Sequence, residues 1–142
     1  MINVGIIGSG FIGPAHIEAL RRLGFVQVVA LCDGTLEQAQ EKALALNIPH
    51  AYGNVEELLA HPDLHVVHNC TPNHLHAQIN RQILRAGKHV FSEKPLCMTP
   101  EEAHELVELA EAKLHGEPVP LDELRRILRP WLRMQEPPDT VV

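Results

Sequence analysis

The chain has 142 residues, a length that suits one ordinary domain with its own hydrophobic core. Its composition, with 45% hydrophobic and 21% charged residues, excludes disordered, fibrous and membrane proteins. The formal net charge of -6 and the scattered positions of its 12 Lys and Arg residues argue against nucleic acid and anionic lipid as partners. The sequence has no apolar stretch long enough to span a bilayer and no leader-like start, so we expect a cytoplasmic protein.

The cysteines and histidines do not form a recognisable metal or disulfide pattern. Cys32, Cys70 and Cys97 are odd in number and lack CxxC spacing, which predicts small buried hydrophobic side chains. The 10 histidines straddle predicted turns and strands and do not share one helical face. We therefore expect no metal site.

Residues 1–100 alternate short β-branched runs with longer amphipathic segments, a pattern typical of βαβ units. The predicted strands are Asn3–Ile7, Val26–Cys32, Val66–Cys70 and His89–Ser92. Apolar stripes at helical spacing lie between them, at Ile17, Leu20 and Leu23, at Leu36, Ala39, Ala43 and Leu46, and at Leu75, Ile79, Ile83 and Ala86. The sequence thus predicts a doubly wound α/β domain with a mainly parallel sheet, the Rossmann arrangement.

Helix boundaries are marked by capping residues. Asn54 suits the start of a short helix, and Gly87 stands where a helix ending at Ala86 needs a left-handed residue. Thr99, Pro100 and Glu102 form a start signal for a further helix that should end near Gly116. The predicted buried face of that helix consists of Ala103, Leu106, Val107 and Ala110.

Residues 116–142 differ in character from the predicted domain at residues 1–115. Pro118 and Pro120 form a stiff connection, and Pro130 should kink the helix that follows. We expect this C-terminal helical tail to bury an apolar stripe formed by Leu124, Ile127, Leu128 and Trp131.

A GxGxxG motif directly follows the first predicted strand and precedes a helix. It comprises Gly8, Ser9, Gly10, Phe11, Ile12 and Gly13. In this context Gly8 permits a tight turn, Gly10 lets a pyrophosphate approach the backbone, and Gly13 allows close packing of helix on strand. Backbone N–H groups at the helix start then bind the anion. The alternative is a glycine turn that binds no ligand.

Asp33 ends the second predicted strand, twenty positions after Gly13. An acid at that point accepts hydrogen bonds from the adenosine ribose hydroxyls of a dinucleotide. Its charge would repel a 2′-phosphate, and neither Gly34 nor Thr35 supplies a guanidinium to offset that repulsion. The pattern therefore favours NAD over NADP, with an ordinary Asp-Gly turn as the alternative.

A second, longer motif indicates a family. Residues 71–96 read TPNHLHAQINRQILRAGKHVFSEKPL. Together with the glycine turn, this segment resembles the glucose-fructose oxidoreductase, inositol dehydrogenase and rhizopine-catabolism proteins, the Gfo/Idh/MocA family, over roughly Asn3–Lys113. Complete members oxidise sugar or polyol hydroxyls, or reduce the corresponding carbonyls, with a nicotinamide cofactor.

The resemblance implies roles for further residues, all on the nicotinamide side of the cofactor. The implied contacts are Thr71, Pro72, Asn73 and His76 after one strand, and Glu93, Lys94 and Pro95 after another. Lys94 is the implied catalytic residue, oriented towards substrate and the nicotinamide ribose, and the bond before Pro95 is cis-prone. His76, like His74, has packing at a helix start as its alternative role.

The resemblance also implies that something is missing. Family members continue into a large α/β domain that supplies substrate contacts, the acid/base residue and much of the oligomer interface. We therefore expect a truncated NAD-binding domain that is inactive without a partner that supplies a substrate domain. A homo-oligomer is the other expected assembly. The tail is somewhat similar to the last helix of full-length members. The alternatives are a non-enzymatic, NAD-responsive binding or assembly module, and a decayed remnant without ligand or activity.

Overall fold

A computed structural model of the chain describes residues 1–114. The predicted tail helix, its kink, its buried stripe and the predicted boundary at residue 116 lie outside these residues. The strands are β1 (Ile2–Ile7), β2 (Val26–Cys32), β3 (His50–Tyr52), β4 (Val66–Asn69) and β5 (His89–Ser92). The helices are α1 (Gly13–Arg21), α2 (Leu36–Ala45), α3 (Val55–Leu59), α4 (His76–Arg85) and α5 (Pro100–Leu114), with a 3₁₀ turn at Asn73–Leu75.

The strands form one five-stranded sheet in the order β3-β2-β1-β4-β5. All neighbouring pairs are parallel. The strand order reverses between β1 and β4, so the chain winds outward in both directions from the centre. The prediction of a doubly wound, parallel Rossmann sheet is confirmed, and the crevice at the carboxyl ends of β1 and β4 is the position where such sheets bind ligands.

Helices cover both faces of the sheet. On one face, Ile17 and Leu20 of α1 and Ala43 of α2 pack on Val4 and Ile6. The opposite face is covered by α3 and α4, whose buried side chains include Leu58, Ile79 and Ile83. Coverage of both faces explains why the central strands β1 and β2 are largely apolar along their length.

The predicted elements match the structure with three corrections. The short strand β3 was not predicted, because it pairs only three residues with β2 at the sheet edge and is only partly buried. Leu23, Leu36 and Ala86, at the ends of their stripes, are exposed. In α5, Leu106 is buried as predicted, whereas Val107 is 50% exposed because it points away from α4.

The capping predictions are confirmed. Asn54 Oδ1 accepts a hydrogen bond from Glu57 N at the start of α3 (2.8 Å). At the start of α5, Thr99 Oγ1 accepts from Glu102 N (3.2 Å), and Glu102 Oε2 accepts from Thr99 N (3.3 Å), which is a reciprocal capping box. Gly87 follows α4 with φ +72°. None of the helices within residues 1–114 combines the length and the apolar character that a bilayer span requires.

Candidate cofactor site

The glycine turn after β1 is compact at its ends and open in its middle. Gly8 has φ +91°, and a Cβ there would lie 2.7 Å from the carbonyl oxygen of Cys70. A Cβ on Gly13 would clash with the carbonyl oxygen of Gly8, whereas one on Gly10 would meet no atom within 4 Å. Gly8 and Gly13 are therefore required by the fold itself, and Gly10 leaves space in front of the backbone.

Asp33 lies directly beside this turn. Its Oδ2 accepts hydrogen bonds from the backbone N–H of Ser9 (3.2 Å) and from the Ser9 hydroxyl, and its Oδ1 accepts from Gly34 N (2.8 Å). Parallel pairing of β1 with β2 produces this contact, because it aligns Ile7 with Cys32 and so brings the two strand ends together. Two residues separated by 24 positions thus form one site.

The turn and Asp33 form the wall of an open crevice of about 480 Å³. Its lining residues are Ser9, Gly10, Phe11, Pro14, Asp33, Gln38 and Lys42. Phe11 is fully exposed at the tip of the turn, while Ser9 is buried. Lys42 was not predicted as a site residue. Lys42 lies about two helical turns into α2. The sequence argument considered only the residues directly after β2, so it did not reach this position.

The segments that follow β4 and β5 lie side by side at the carboxyl ends of these parallel strands. Pro72 and Asn73 are exposed, and Thr71 is half-buried with its hydroxyl bonded to Asn69 Oδ1 (2.6 Å). On the neighbouring segment Lys94 is exposed, and its backbone N–H donates to Glu93 Oε2 (3.2 Å). The Lys94–Pro95 bond is cis, as the resemblance implied.

His76 is fully buried and does not face the crevice. Its Nδ1 lies 2.6 Å from the carbonyl oxygen of Pro95, and its Nε2 lies 2.7 Å from that of Thr71. This is the packing role named as its alternative. In this arrangement His76 connects two segments of backbone, while His74 is exposed.

A cluster of His16, His68 and Glu93 beneath the same edge was not predicted. Its members come from α1, β4 and the end of β5. His16 Nε2 lies 2.8 Å from Glu93 Oε1, and His16 Nδ1 lies 3.0 Å from His68 Nδ1. His68 also stacks on Phe91, with ring centroids 4.6 Å apart. The one sequence signal is that His16 shares the buried face of α1 with Gly13 and Ile17.

The chemistry of this cluster follows from what each atom can donate. A carboxylate only accepts, so His16 donates from Nε2 to Glu93. When His16 is neutral its Nδ1 must accept, which assigns the donated proton to Nδ1 of His68. Burial, followed by the proximity of His16, lowers the pKa of His68 to about 4. The hydrogen bond from His16 is the main cause that lowers the pKa of Glu93 below its usual value.

Cys32 and Cys70 are poorly suited to act as nucleophiles. Burial is the main cause that raises the thiol pKa of both Cys32 and Cys70 to about 12, so both remain protonated at neutral pH. Both are buried, as predicted, whereas Cys97 is only partly buried. Within residues 1–114, no three His, Cys, Asp or Glu side chains are grouped so that they would hold a metal ion.

Residues 2–115 match the model of an oxidoreductase family with an NAD-binding Rossmann fold, GFO_IDH_MocA. An uncharacterised oxidoreductase of Synechocystis, sll0816, is 39% identical over 109 residues, which cover 77% of this chain and 29% of that protein. The structure of levoglucosan dehydrogenase with NADH and levoglucosan is 33% identical with a TM-score of 0.73, covering 78% of this chain and 32% of that one. A 3-ketoreductase from Actinomadura kijaniata in complex with NADP has a TM-score of 0.74 at 29% identity, covering 79% of this chain and 35% of that one.

A second group of matches is to glutamate racemases. In that of Klebsiella pneumoniae, a segment of 38 residues is 97% identical, covering 27% of this chain and 13% of the racemase. A segment of that length is too short to carry a domain core, so it does not define the fold. The oxidoreductase matches cover most of this chain but only 29% to 35% of their own length. The chain belongs to the Gfo/Idh/MocA oxidoreductase family and carries its NAD-binding Rossmann domain.

Proposed function

We propose that the crevice beside Asp33 binds the ADP half of NAD(H). The observation that carries this proposal is the contact between the Asp33 carboxylate and the glycine turn, because a dinucleotide needs both its pyrophosphate and its adenosine ribose held at once. In this arrangement Gly8, Gly10 and Gly13 shape the pyrophosphate site, and the N–H groups at the start of α1 face the anion.

The residues present fit that half of the cofactor. The backbone in front of Gly10 is open, so a phosphate can approach where a side chain would otherwise stand. Asp33 Oδ1 accepts one bond within the described residues and has a second lone pair for a ribose hydroxyl. The Ser9 hydroxyl on Oδ2 can rotate away to admit the second ribose hydroxyl.

On the nicotinamide side we propose contacts from Thr71, Pro72 and Asn73 on one segment and from Glu93, Lys94 and Pro95 on the other. When bound, the nicotinamide ring supplies hydride transfer. Lys94 is exposed on the second of these segments. Its ammonium group would orient a substrate hydroxyl and stabilise the negative charge that develops on the hydroxyl oxygen. By analogy with levoglucosan dehydrogenase, the substrate class is a sugar or polyol.

We propose that NAD is preferred to NADP, because the Asp33 carboxylate repels a 2′-phosphate. Lys42 lines the same crevice and reduces that repulsion without providing the bidentate recognition that a guanidinium gives. Parallel titrations with NADH and NADPH test this preference, and equal dissociation constants would contradict it.

We further propose that the described domain is inactive by itself, because Glu93 and Lys94 alone neither select a substrate nor complete proton transfer. Activity would then need a substrate domain, and a homo-oligomer is the other assembly that we propose. A second candidate function, supported by the crevice beside Asp33 alone, is a non-enzymatic NAD-responsive module. Turnover of sugars or polyols by the isolated chain would contradict both proposals.

An Asp33→Ala variant tests the cofactor site. Loss of a charged hydrogen-bond acceptor is expected to raise the dissociation constant of NADH roughly ten- to a hundredfold. Glu41→Ala on the exposed face of α2 is the matched control, because it removes the same charge and is expected to leave affinity unchanged. Circular dichroism verifies that both variants are folded. Unchanged NADH affinity in a folded Asp33→Ala protein would refute the role of this carboxylate.

A further inference from the structure

Three fully buried polar side chains connect the two segments assigned to the nicotinamide side. They are Asn69 at the end of β4 and His76 and Asn80 on α4, each 0% exposed. We call these three residues the buried bridge. None of them belongs to the glycine turn or lines the crevice beside Asp33. Their partners lie instead in the segments that follow β4 and β5.

Asn80 and Asn69 form one continuous connection. Asn69 Oδ1 accepts from the Thr71 hydroxyl (2.6 Å), and Asn69 Nδ2 donates to Asn80 Oδ1 (2.8 Å). Asn80 Nδ2 then donates to Ser92 Oγ (2.9 Å) and to the carbonyl oxygen of Leu96 (3.3 Å). Through these two side chains, the Thr71 hydroxyl is linked to the Ser92 hydroxyl and to the carbonyl oxygen of Leu96, which flank the Glu93–Pro95 segment.

His76 makes a second, parallel connection. Its two ring nitrogens lie beside the carbonyl oxygens of Thr71 and Pro95, one from each segment, and a neutral ring donates its single N–H to one of them. The regular ladder between the strands ends with the bond from Glu93 N to Asn69 O (3.0 Å). Beyond that point within residues 1–114, the hydrogen bonds that connect the two segments all involve the buried bridge.

Burying polar side chains costs free energy unless their donors and acceptors have partners. The side-chain amides of Asn69 and Asn80 have a partner for each donor, and such a network gives a defined geometry. Here it defines the distance between Thr71 and Pro95, and therefore the position of the neighbouring Lys94. Such a fixed arrangement lowers the ordering cost when a ligand binds across two segments.

We propose that Asn69, His76 and Asn80 are positioning residues that hold the two nicotinamide-side segments in place before the cofactor binds. This inference rests on the proposed function. All three are fully buried, so they act through the segments that they hold and not by contact with the cofactor. Because the bridge does not extend to Gly8–Gly13 or Asp33, loosening it should weaken the nicotinamide half of binding and leave the ADP half intact.

An Asn80→Asp variant tests the proposal, because it is nearly isosteric and changes one side of the bridge. Its carboxylate still accepts from Asn69 Nδ2, but it replaces the donor to Leu96 with an oxygen that faces a carbonyl oxygen. At pH 8, we expect the dissociation constant of NADH to rise about tenfold and that of ADP-ribose to stay within about twofold. If this variant does not fold, His76→Leu, which has no donor for either carbonyl oxygen, provides the same comparison.

Arg81→Gln is the matched control. Arg81 follows Asn80 on α4 and pairs with Glu105 of α5, outside the bridge, so both affinities should remain at their wild-type values. Equal changes for NADH and ADP-ribose in Asn80→Asp, or no change for either, would overturn the positioning role. Failure of the wild-type chain to bind ADP-ribose would instead overturn the proposed cofactor site.

Discussion

Gly10 and Gly13 belong to one turn but tolerate a side chain differently. A methyl group on Gly10 would enter open space, whereas one on Gly13 would enter the carbonyl oxygen of Gly8. No contact in the described structure therefore requires a glycine at position 10. If a pyrophosphate approaches at this point, Gly10 is retained for ligand binding and Gly13 for packing.

These differences predict opposite behaviour for two alanine variants. Gly10→Ala should fold with nearly unchanged stability and lose at least about tenfold in NADH affinity, because its methyl group would occupy the phosphate position. Gly13→Ala should lose about 2–4 kcal/mol of unfolding free energy, since backbone must shift. Chemical denaturation and NADH titration of both variants measure the contrast. Wild-type affinity in Gly10→Ala would show that no phosphate lies against this backbone.

His68 makes stability depend on pH. Burial lowers its pKa to about 4 in the folded chain, against about 6.5 when unfolded. The unfolded chain therefore binds the proton first, so this contribution to stability is present above pH 6.5 and is lost as the pH falls towards 4. The size of the shift corresponds to about 3 kcal/mol.

A His68→Gln variant isolates this contribution. The wild type should lose about 3 kcal/mol more unfolding free energy than the variant between pH 7 and pH 4, because glutamine does not titrate. His104→Gln is the control, since His104 is exposed and its pairing with Glu108 is 3.2 Å long on the helix surface. Denaturant titrations at a series of pH values measure the difference. Parallel stability curves for wild type and His68→Gln would contradict the buried, neutral state of His68.

The contacts of a single residue can be predicted from sequence when it and its partners belong to one motif of known spacing. The glycine turn and Asp33 follow from motif spacing, and the structure brings them together. The cluster of His16, His68 and Glu93 joins three elements, so no local pattern announces it. The contact of Asn80 with Leu96 cannot be predicted from a local pattern either, because it depends on how α4 packs against the segment after β5.

Among the elements, α4 links the sheet to α5. Arg81 Nε and Nη2 each lie 2.7 Å from a different oxygen of Glu105, which is a bidentate pair. Arg85 Nη2 lies 3.6 Å from the same carboxylate. The hydrogen bond from Arg81 is the main cause that lowers the pKa of Glu105. Because bidentate pairs hold both side chains in one geometry, this contact fixes the position of α5 against α4.

Arg81→Gln should lower the thermal midpoint by about 2–4 °C in low salt, and the difference should shrink at high salt because exposed charge pairs are screened. Arg22→Gln is the comparison variant. Its pair with Glu18 has side chains 76% and 69% exposed, so its loss should leave the midpoint nearly unchanged. Thermal unfolding by circular dichroism measures both. Equal midpoints for the two variants would show that the Arg81 pair does not stabilise the α4–α5 contact.

Element prediction succeeded where the periodic pattern was long. The stripe of α4 and the capping box of α5 identified both helices from sequence. It failed for β3, because a three-residue edge strand has no alternation to detect and depends on pairing with β2. Leu23 and Leu36 illustrate the same limit, since helical spacing does not reveal where the sheet beneath a stripe ends.

At the level of the whole molecule, the described domain exposes apolar side chains beside the nicotinamide-side segments. Phe91, Leu96 and Met98 are 55%, 46% and 62% exposed. Phe91 lies in β5, and Leu96 and Met98 follow Lys94 in the chain. The family and the sheet order followed from two motifs and the alternation of elements, whereas the substrate does not follow from the residues of the described domain.

Calorimetric titration of NADH into the full chain decides whether the crevice beside Asp33 is a cofactor site. We expect saturable binding at one site per chain, with weaker binding of NADPH because of the Asp33 charge. A chain that is folded by circular dichroism and yet gives no saturable heat with either NADH or NADPH would contradict it.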